Sequence, residues 1–145
     1  MLSRDEVKAR CEIHMEKYSK TRRIEARTMI EMARKLLLPA TLDYVQNLCN
    51  AILVRKQVGM AAPTEEAMAH QLGDLADAFY ISIQELEQVV NRACEMTDIP
   101  AQAKFFHDAV LPEMERMRTI SDTIERIMPS SRWPIPNYSA MIYNV

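Results

Sequence analysis

Residues 22–58 read RRIEARTMIEMARKLLLPATLDYVQNLCNAILVRKQV, and this stretch decides the fold class. Its apolar side chains recur every three or four residues from Ala26 to Ile52, a spacing that places them on one face of an α-helix. Pro39 lies inside the pattern without shifting its phase. Because a proline within a helix removes a backbone hydrogen bond and crowds the preceding turn, we predict one helix over 22–58 that is kinked at Pro39.

Three further segments have the same periodicity. Ser3 and Glu6 form a capping-box pattern at the start of a helix over about 4–20. Gly59 is a stop signal, and helices are predicted beyond it over about 64–96 and 99–128, the second kinked at Pro112. The sequence therefore predicts a single all-α domain over 1–145, an antiparallel bundle of three to four long helices.

The composition agrees with a helical domain of ordinary size. The chain has 145 residues, of which 48% are hydrophobic, 26% are charged and 2 are glycine, so disorder and an all-β fold are both disfavoured. No apolar run reaches the roughly 20 residues of a membrane span, and no signal peptide is recognisable. Cys11, Cys49 and Cys94 lie far apart, and the last two fall on apolar stripes, where we interpret them as reduced core residues. We expect a cytoplasmic protein with no membrane partner.

Residues 129–145, PSSRWPIPNYSAMIYNV, differ from the rest of the chain. Pro134 and Pro136 exclude a helix, so we predict an extended tail over 129–145. The tail holds the single tryptophan, Trp133, together with Tyr138, and aromatic residues at this density indicate a segment that docks on protein. We favour docking on its own bundle or on a neighbouring subunit over recognition by a proline-binding module, because no P-x-x-P motif is present.

Residues with catalytic potential are sparse. His14, His70 and His107 lie on three different predicted helices, and none has the second ligand one turn away that helical metal sites use. Two glycines leave no phosphate-binding loop. We predict no catalytic, cofactor-binding or metal-ligating residue. A phosphotransfer domain stays an alternative, and His107, with Lys104 one turn before it, comes nearest to the exposed histidine that it needs.

A basic stretch over 17–27 is the one concentration of charge that suggests a partner. Such a stretch could contact nucleic acid or another acidic surface. Glu16, Glu25 and Glu31 interrupt it, so we favour a solvated helix face or a protein contact and expect no nucleic-acid partner. The basic residues are Lys17, Lys20, Arg22, Arg23 and Arg27.

Several short motifs resemble one known family. They are EIHMEKY over 12–18, IEARTMIEMA over 24–33 and LPA over 38–40 near the start, with VLPEM over 110–114 and WPIPNY over 133–138 near the end. Together they resemble the C-terminal helical domain of type III glutamine synthetases, and the likeness extends over essentially the whole chain. Positions 22–23 and 11 depart from the family's pattern.

The resemblance implies a larger parent enzyme, from which this domain would be one part. That parent would be a cytoplasmic, ring-shaped homo-oligomer that ligates ammonia to glutamate with ATP and a divalent metal such as magnesium. Its active site would lie in an upstream catalytic region whose motifs this chain lacks, so no catalytic residue is carried over. We expect a non-catalytic accessory domain that packs on the catalytic region of its own polypeptide and aids assembly; the alternative is an independent signalling or adaptor bundle. The structural or interface candidates are Trp133, Pro134, Pro136, Tyr138, Pro39 and Pro112.

Overall fold

A computed structural model describes residues 4–136, and in this range the chain is helical with no β-strand. The all-α prediction is therefore confirmed, whereas the antiparallel order of the helices stays a prediction. Two short π-helical segments, Ala33–Leu37 and Phe106–Val110, join consecutive α-helices. The α-helices are α1 (Arg4–Met32), α2 (Leu38–Gln57), α3 (Pro63–Glu95), α4 (Ile99–Phe105) and α5 (Leu111–Ile127).

Helix α1 is longer than the sequence predicts. Two helices were expected to meet between positions 20 and 22, but α1 runs without interruption from Arg4 to Met32. No glycine or proline lies in this range. Ion pairs one turn apart span the expected boundary, Lys20 with Glu16 at 2.8 Å and Arg22 with Glu25 at 2.7 Å, and such pairs support a continuous helix.

Both internal prolines lie just after a π-helical segment. The backbone N–H of Leu38 donates to the carbonyl of Ala33, and that of Leu111 donates to the carbonyl of Phe106, five residues back in each case. The wider π turn offsets the carbonyls that a proline ring would otherwise meet. The chain thus stays helical past Pro39 and Pro112 as expected, while a bend at either position stays a prediction.

Gly59 ends helix α2 in the manner that its sequence context predicts. Its φ of +74° is the left-handed conformation that glycine adopts without steric cost. The amide of Met60 donates to the carbonyl of Arg55 at 2.9 Å and that of Gly59 donates to Lys56 at 3.1 Å, which completes a Schellman motif. Arg55 also forms an ion pair with Glu65 of α3 at 3.1 Å, which ties the two helix ends together.

The chain divides into two compact units, and each has its own buried apolar residues. Within the described residues, the first comprises 4–31 and 82–117, and the second comprises 32–81 and 118–136. Helix α3 contributes to both, because the boundary between the units falls at residues 81–82. Its buried apolar residues recur at helical spacing from Leu72 to Ala93. Other core residues of the first unit are Ala26, Ile30, Phe106, Val110, Met114 and Met117, and those of the second are Ala33, Leu37, Leu48, Ala62, Ile124, Met128 and Trp133.

The hydropathy of the helices was compared with that of a membrane-spanning helix. Within residues 4–136, every helix is either too short or too polar to cross a lipid bilayer.

Candidate functional site

The histidines do not converge on a site. His14, His70 and His107 are all exposed and lie on α1, on α3 and in the second π segment. Among residues 4–136, no three His, Cys, Asp or Glu side chains come close enough together to hold a metal ion.

His107 belongs to a small exposed charge cluster. Its Nδ1 lies 2.8 Å from Oδ1 of Asp108, and the ammonium of Lys104 donates to the other carboxylate oxygen at 2.5 Å. The hydrogen bond from Lys104, followed by the one from His107, lowers the pKa of Asp108 below its ordinary value. The same contact with Asp108 raises the pKa of Lys104. Because these side chains are solvated, the cluster is an ordinary surface network.

The cysteines are free thiols at three separate positions. Cys11 and Cys49 are exposed and Cys94 is partly exposed, so the interpretation of Cys49 as a core residue was wrong. Cys49 is one residue after Leu48, a buried residue of α2, and the 100° turn per residue carries its side chain away from the core.

A pocket of about 230 Å³ lies in the first unit. Helix α1 lines one wall with Glu16, Ser19, Lys20 and Arg23. The carboxylate of Glu16 is held by Lys20 at 2.8 Å, whereas Arg23 has no ion-pair partner within residues 4–136. The wall thus carries one unneutralised positive charge.

The other lining residues come from α4, the residues just before it and the first residue of the second π segment. Ile99 and the buried Phe106 supply apolar surface, and Gln102 lies between them in sequence. The side-chain amide of Gln102 donates to the carbonyls of Ala93 at 2.9 Å and Met96 at 3.1 Å. These bonds satisfy carbonyls at the C-terminal end of α3 and hold the start of α4 against them.

Ser19 is the unusual residue of the pocket. It is 3% exposed, and its hydroxyl oxygen is buried without a hydrogen-bond partner. Three other helical hydroxyls, those of Thr28, Thr41 and Thr123, each donate to the carbonyl four residues earlier at 2.8–2.9 Å. Leaving a buried hydroxyl unpaired costs about 1–3 kcal/mol, so the position of Ser19 calls for an explanation.

The rest of the basic stretch is partly neutralised by acidic neighbours. Arg22 pairs with Glu25 and places its guanidinium 5.3 Å from the centre of the Tyr18 ring. Lys17 and Arg27 are exposed. This pattern agrees with a solvated helix face.

Trp133 is the one interface candidate that is buried in the described chain. It is 7% exposed. The backbone N–H groups of Arg132 and Trp133 both donate to the carbonyl of Pro129, at 2.9 Å and 3.2 Å. The predicted extended tail is therefore wrong at its start, since residues 130–132 form a turn. Ser130 and Ser131 are typical turn residues, and Pro129 presets the backbone entering the turn.

The remaining interface candidates are exposed or lie elsewhere. Pro39, Pro112, Pro134 and Pro136 are all exposed. Tyr138 lies outside the described residues, so the docking of the whole tail stays a prediction.

Helix α2 exposes an apolar stripe, which we call the α2 outer stripe. It consists of Leu42, Cys49 and Leu53, spaced seven and four residues apart so that they share one face. Leu42 is 50% and Leu53 is 60% exposed, whereas the buried residues of α2 are Thr41 and Leu48. The stripe extends about 16 Å along the helix at 1.5 Å per residue. A helix with this much apolar surface outward can bury more by packing against a further element.

Comparison with known proteins identifies the relatives of this chain. Residues 1–56 match the family model of the glutamine synthetase C-terminal domain. The type-3 glutamine synthetase of Dictyostelium discoideum is 26% identical over 151 aligned residues, which cover 99% of this chain. This chain is similar to the C-terminal domain of glutamine synthetases. The resemblance of its motifs to that family is thereby confirmed.

Bacterial glutamine synthetases show the same relationship. Those of Butyrivibrio fibrisolvens and Bacteroides fragilis (strain YCH46) are 26% and 20% identical over 100% and 95% of this chain. The chain spans about a fifth of the length of each relative, 20–21%. No solved structure matches it significantly.

Proposed function

We propose that this chain is a non-catalytic accessory domain of a type III glutamine synthetase. It packs on the catalytic region of its own polypeptide and aids the assembly of a cytoplasmic homo-oligomer. The observation that carries the proposal is the similarity to glutamine synthetases over essentially the whole chain, which makes up only about a fifth of each relative. ATP and a divalent metal would bind in the remaining part, and we derive no step through them from the residues described.

The α2 outer stripe supports the packing role. It presents Leu42, Cys49 and Leu53 outward, and the remaining four-fifths of a relative's polypeptide could cover such a surface. Burying a fully exposed leucine contributes roughly 1.5–3 kcal/mol, so covering a leucine that is 50–60% exposed adds about half of that amount. We propose that the occupant of the stripe is the catalytic region of the same polypeptide.

Two neighbouring substitutions test this assignment. Leu53 and Val54 are both 60% exposed on α2, but their side chains point about 100° apart. In a glutamine synthetase polypeptide that carries this chain, Leu53→Asp should lower the thermal midpoint or reduce the oligomer size, whereas the matched control Val54→Asp should not. The isolated chain should unfold with nearly the same free energy in both variants.

Two results would overturn the proposal. One is an oligomer of unchanged size and stability in Leu53→Asp, measured by light scattering and calorimetry. The other is synthesis of glutamine from glutamate, ammonia and ATP by the isolated chain, because that would place catalytic groups within it.

A further inference from the structure

The pocket of the first unit combines features that an accessory role in packing does not use. It has a basic wall on α1, an apolar wall from Ile99 and Phe106, and a hydroxyl that is buried without a partner at Ser19. We propose that this pocket binds a small organic oxyanion, a carboxylate or a phosphate that carries a short apolar portion. The inference goes beyond the proposed function and does not rest on it.

The charges of the side chains that line the pocket favour an anionic ligand. Glu16 is engaged by Lys20, and Arg23 has no ion-pair partner among residues 4–136. A guanidinium binds carboxylate and phosphate oxygens through two parallel N–H bonds, so Arg23 is suited to hold an oxyanion at the rim. The pocket is lined by more positive than negative side chains, which makes a cationic ligand a poor fit.

Ser19 could add a directional hydrogen bond to the charge attraction of Arg23. Its hydroxyl is the one polar side-chain atom of the pocket that is both buried and unpaired in the described structure. A ligand oxygen within reach would accept its hydrogen bond, and the cost of the unpaired hydroxyl would be recovered on binding.

Size and shape limit the ligand to a small molecule. The volume of about 230 Å³ lies below the roughly 300–1,000 Å³ of pockets that hold drug-sized ligands, which favours a smaller molecule. The faces of Ile99 and Phe106 offer contact to a few apolar carbon atoms. These limits point to a short-chain acid or a small phosphate ester.

Two probes separate the possible ligands. Sodium butyrate provides a carboxylate with an apolar chain, and inorganic phosphate provides an oxyanion without one. Each is titrated into the ¹⁵N-labelled full chain at constant ionic strength, and the amide shifts of Ser19 and the side-chain amide of Gln102 are followed. We expect saturable binding of at least one probe with millimolar affinity. Preference for butyrate would assign a carboxylate ligand, and preference for phosphate would assign a phosphate ligand.

Three variants decide whether binding occurs in the pocket. Arg23→Gln should weaken binding at least tenfold and Ser19→Ala at least about fivefold, because each removes a hydrogen bond to a charged ligand. Arg10→Gln is the matched control. Arg10 is exposed on the same helix, about 20 Å from Arg23 along the helix axis, and its replacement changes the net charge by the same amount. Circular dichroism before titration verifies that every variant is folded.

The titrations of the three variants support or overturn binding in the pocket as follows. Loss of binding in Arg23→Gln and Ser19→Ala, with retention in Arg10→Gln, supports the pocket. Equal weakening in Arg10→Gln and Arg23→Gln would reveal non-specific charge attraction and overturn the proposal. The absence of saturable shifts with either probe would also overturn it.

Discussion

Arg132 Nη1 lies 3.3 Å from Oδ2 of Asp43, and this contact joins the turn that precedes Trp133 to helix α2. Both side chains are more than half exposed, at 51% and 64%. An exposed pair of this kind contributes less than about 1 kcal/mol, whereas burial of the neighbouring indole contributes several times as much. The turn is therefore held by Trp133 far more than by its ion pair.

Substitution of Trp133 should destabilise the chain strongly. We expect Trp133→Ala to lower the free energy of unfolding by about 3–5 kcal/mol, the usual cost of removing a buried large aromatic side chain. Asp43→Asn should lower it by less than about 1 kcal/mol. Urea denaturation followed by circular dichroism measures both.

Fluorescence gives an independent check on the same residue. Trp133 is the only tryptophan, so the native emission maximum reports its burial directly. The maximum should be blue-shifted in the wild-type chain and in Asp43→Asn. Emission at the wavelength of a solvated indole in the wild type would contradict the burial of Trp133.

The hydrophobic stripes were predictable because helix periodicity dictates which residues can share a face. The stripe of α3 contains Leu72, Phe79, Leu86 and Val90, and all four are buried. The stop at Gly59 was equally predictable, since a left-handed residue after a helix favours glycine. These features depend on local geometry alone.

Other features depend on contacts that periodicity does not encode. Nothing in the spacing of apolar residues reports that α1 continues past Thr21 or that Cys49 faces outward. The pocket did leave a signal, because Ser19 precedes Ala26 and Ile30 by seven and eleven residues and so falls on the buried stripe of α1. A polar residue on an otherwise apolar stripe is a reason to look for a cavity.

Replacing either internal proline should change stability little. A proline in the interior of a regular helix costs about 3 kcal/mol relative to alanine. The π-helical segments before Pro39 and Pro112 accommodate the ring, so we expect Pro39→Ala and Pro112→Ala each to change the free energy of unfolding by less than about 1 kcal/mol. A gain of about 3 kcal/mol in urea denaturation would show that the π segments relieve no strain.

The charge cluster around Asp108 should depend on pH in a defined direction. Its lowered pKa means that its contribution to stability is present above the ordinary carboxyl pKa of 3.8 and is lost as the pH falls through the lowered value. Because the hydrogen bond from Lys104 is the largest cause, Lys104→Gln should raise the pKa of Asp108 towards that ordinary value. A ¹³C NMR titration of the carboxyl group measures it. Lys17→Gln is the control, and an equal rise there would exclude a specific bond.

Gln102 should be important for the junction between α3 and α4. Gln102→Ala removes two hydrogen bonds, to the carbonyls of Ala93 and Met96, and should lower the free energy of unfolding by about 1–3 kcal/mol. Gln71→Ala, at an exposed position of α3, is the matched control and should change it by less than about 0.5 kcal/mol.

A second substitution at the same position distinguishes lost hydrogen bonds from lost packing. Gln102→Glu keeps the size of the side chain but removes both N–H donors and brings a carboxylate towards two carbonyl oxygens, so it should destabilise the chain more than Gln102→Ala at pH 7. The two carbonyl oxygens should raise the pKa of this carboxyl, so part of the loss should be recovered as the pH falls towards the ordinary Glu pKa of about 4.3, where the protonated carboxyl regains one donor. Equal stability of Gln102→Glu and the wild-type chain at pH 7 would mean that these two bonds do not hold the junction.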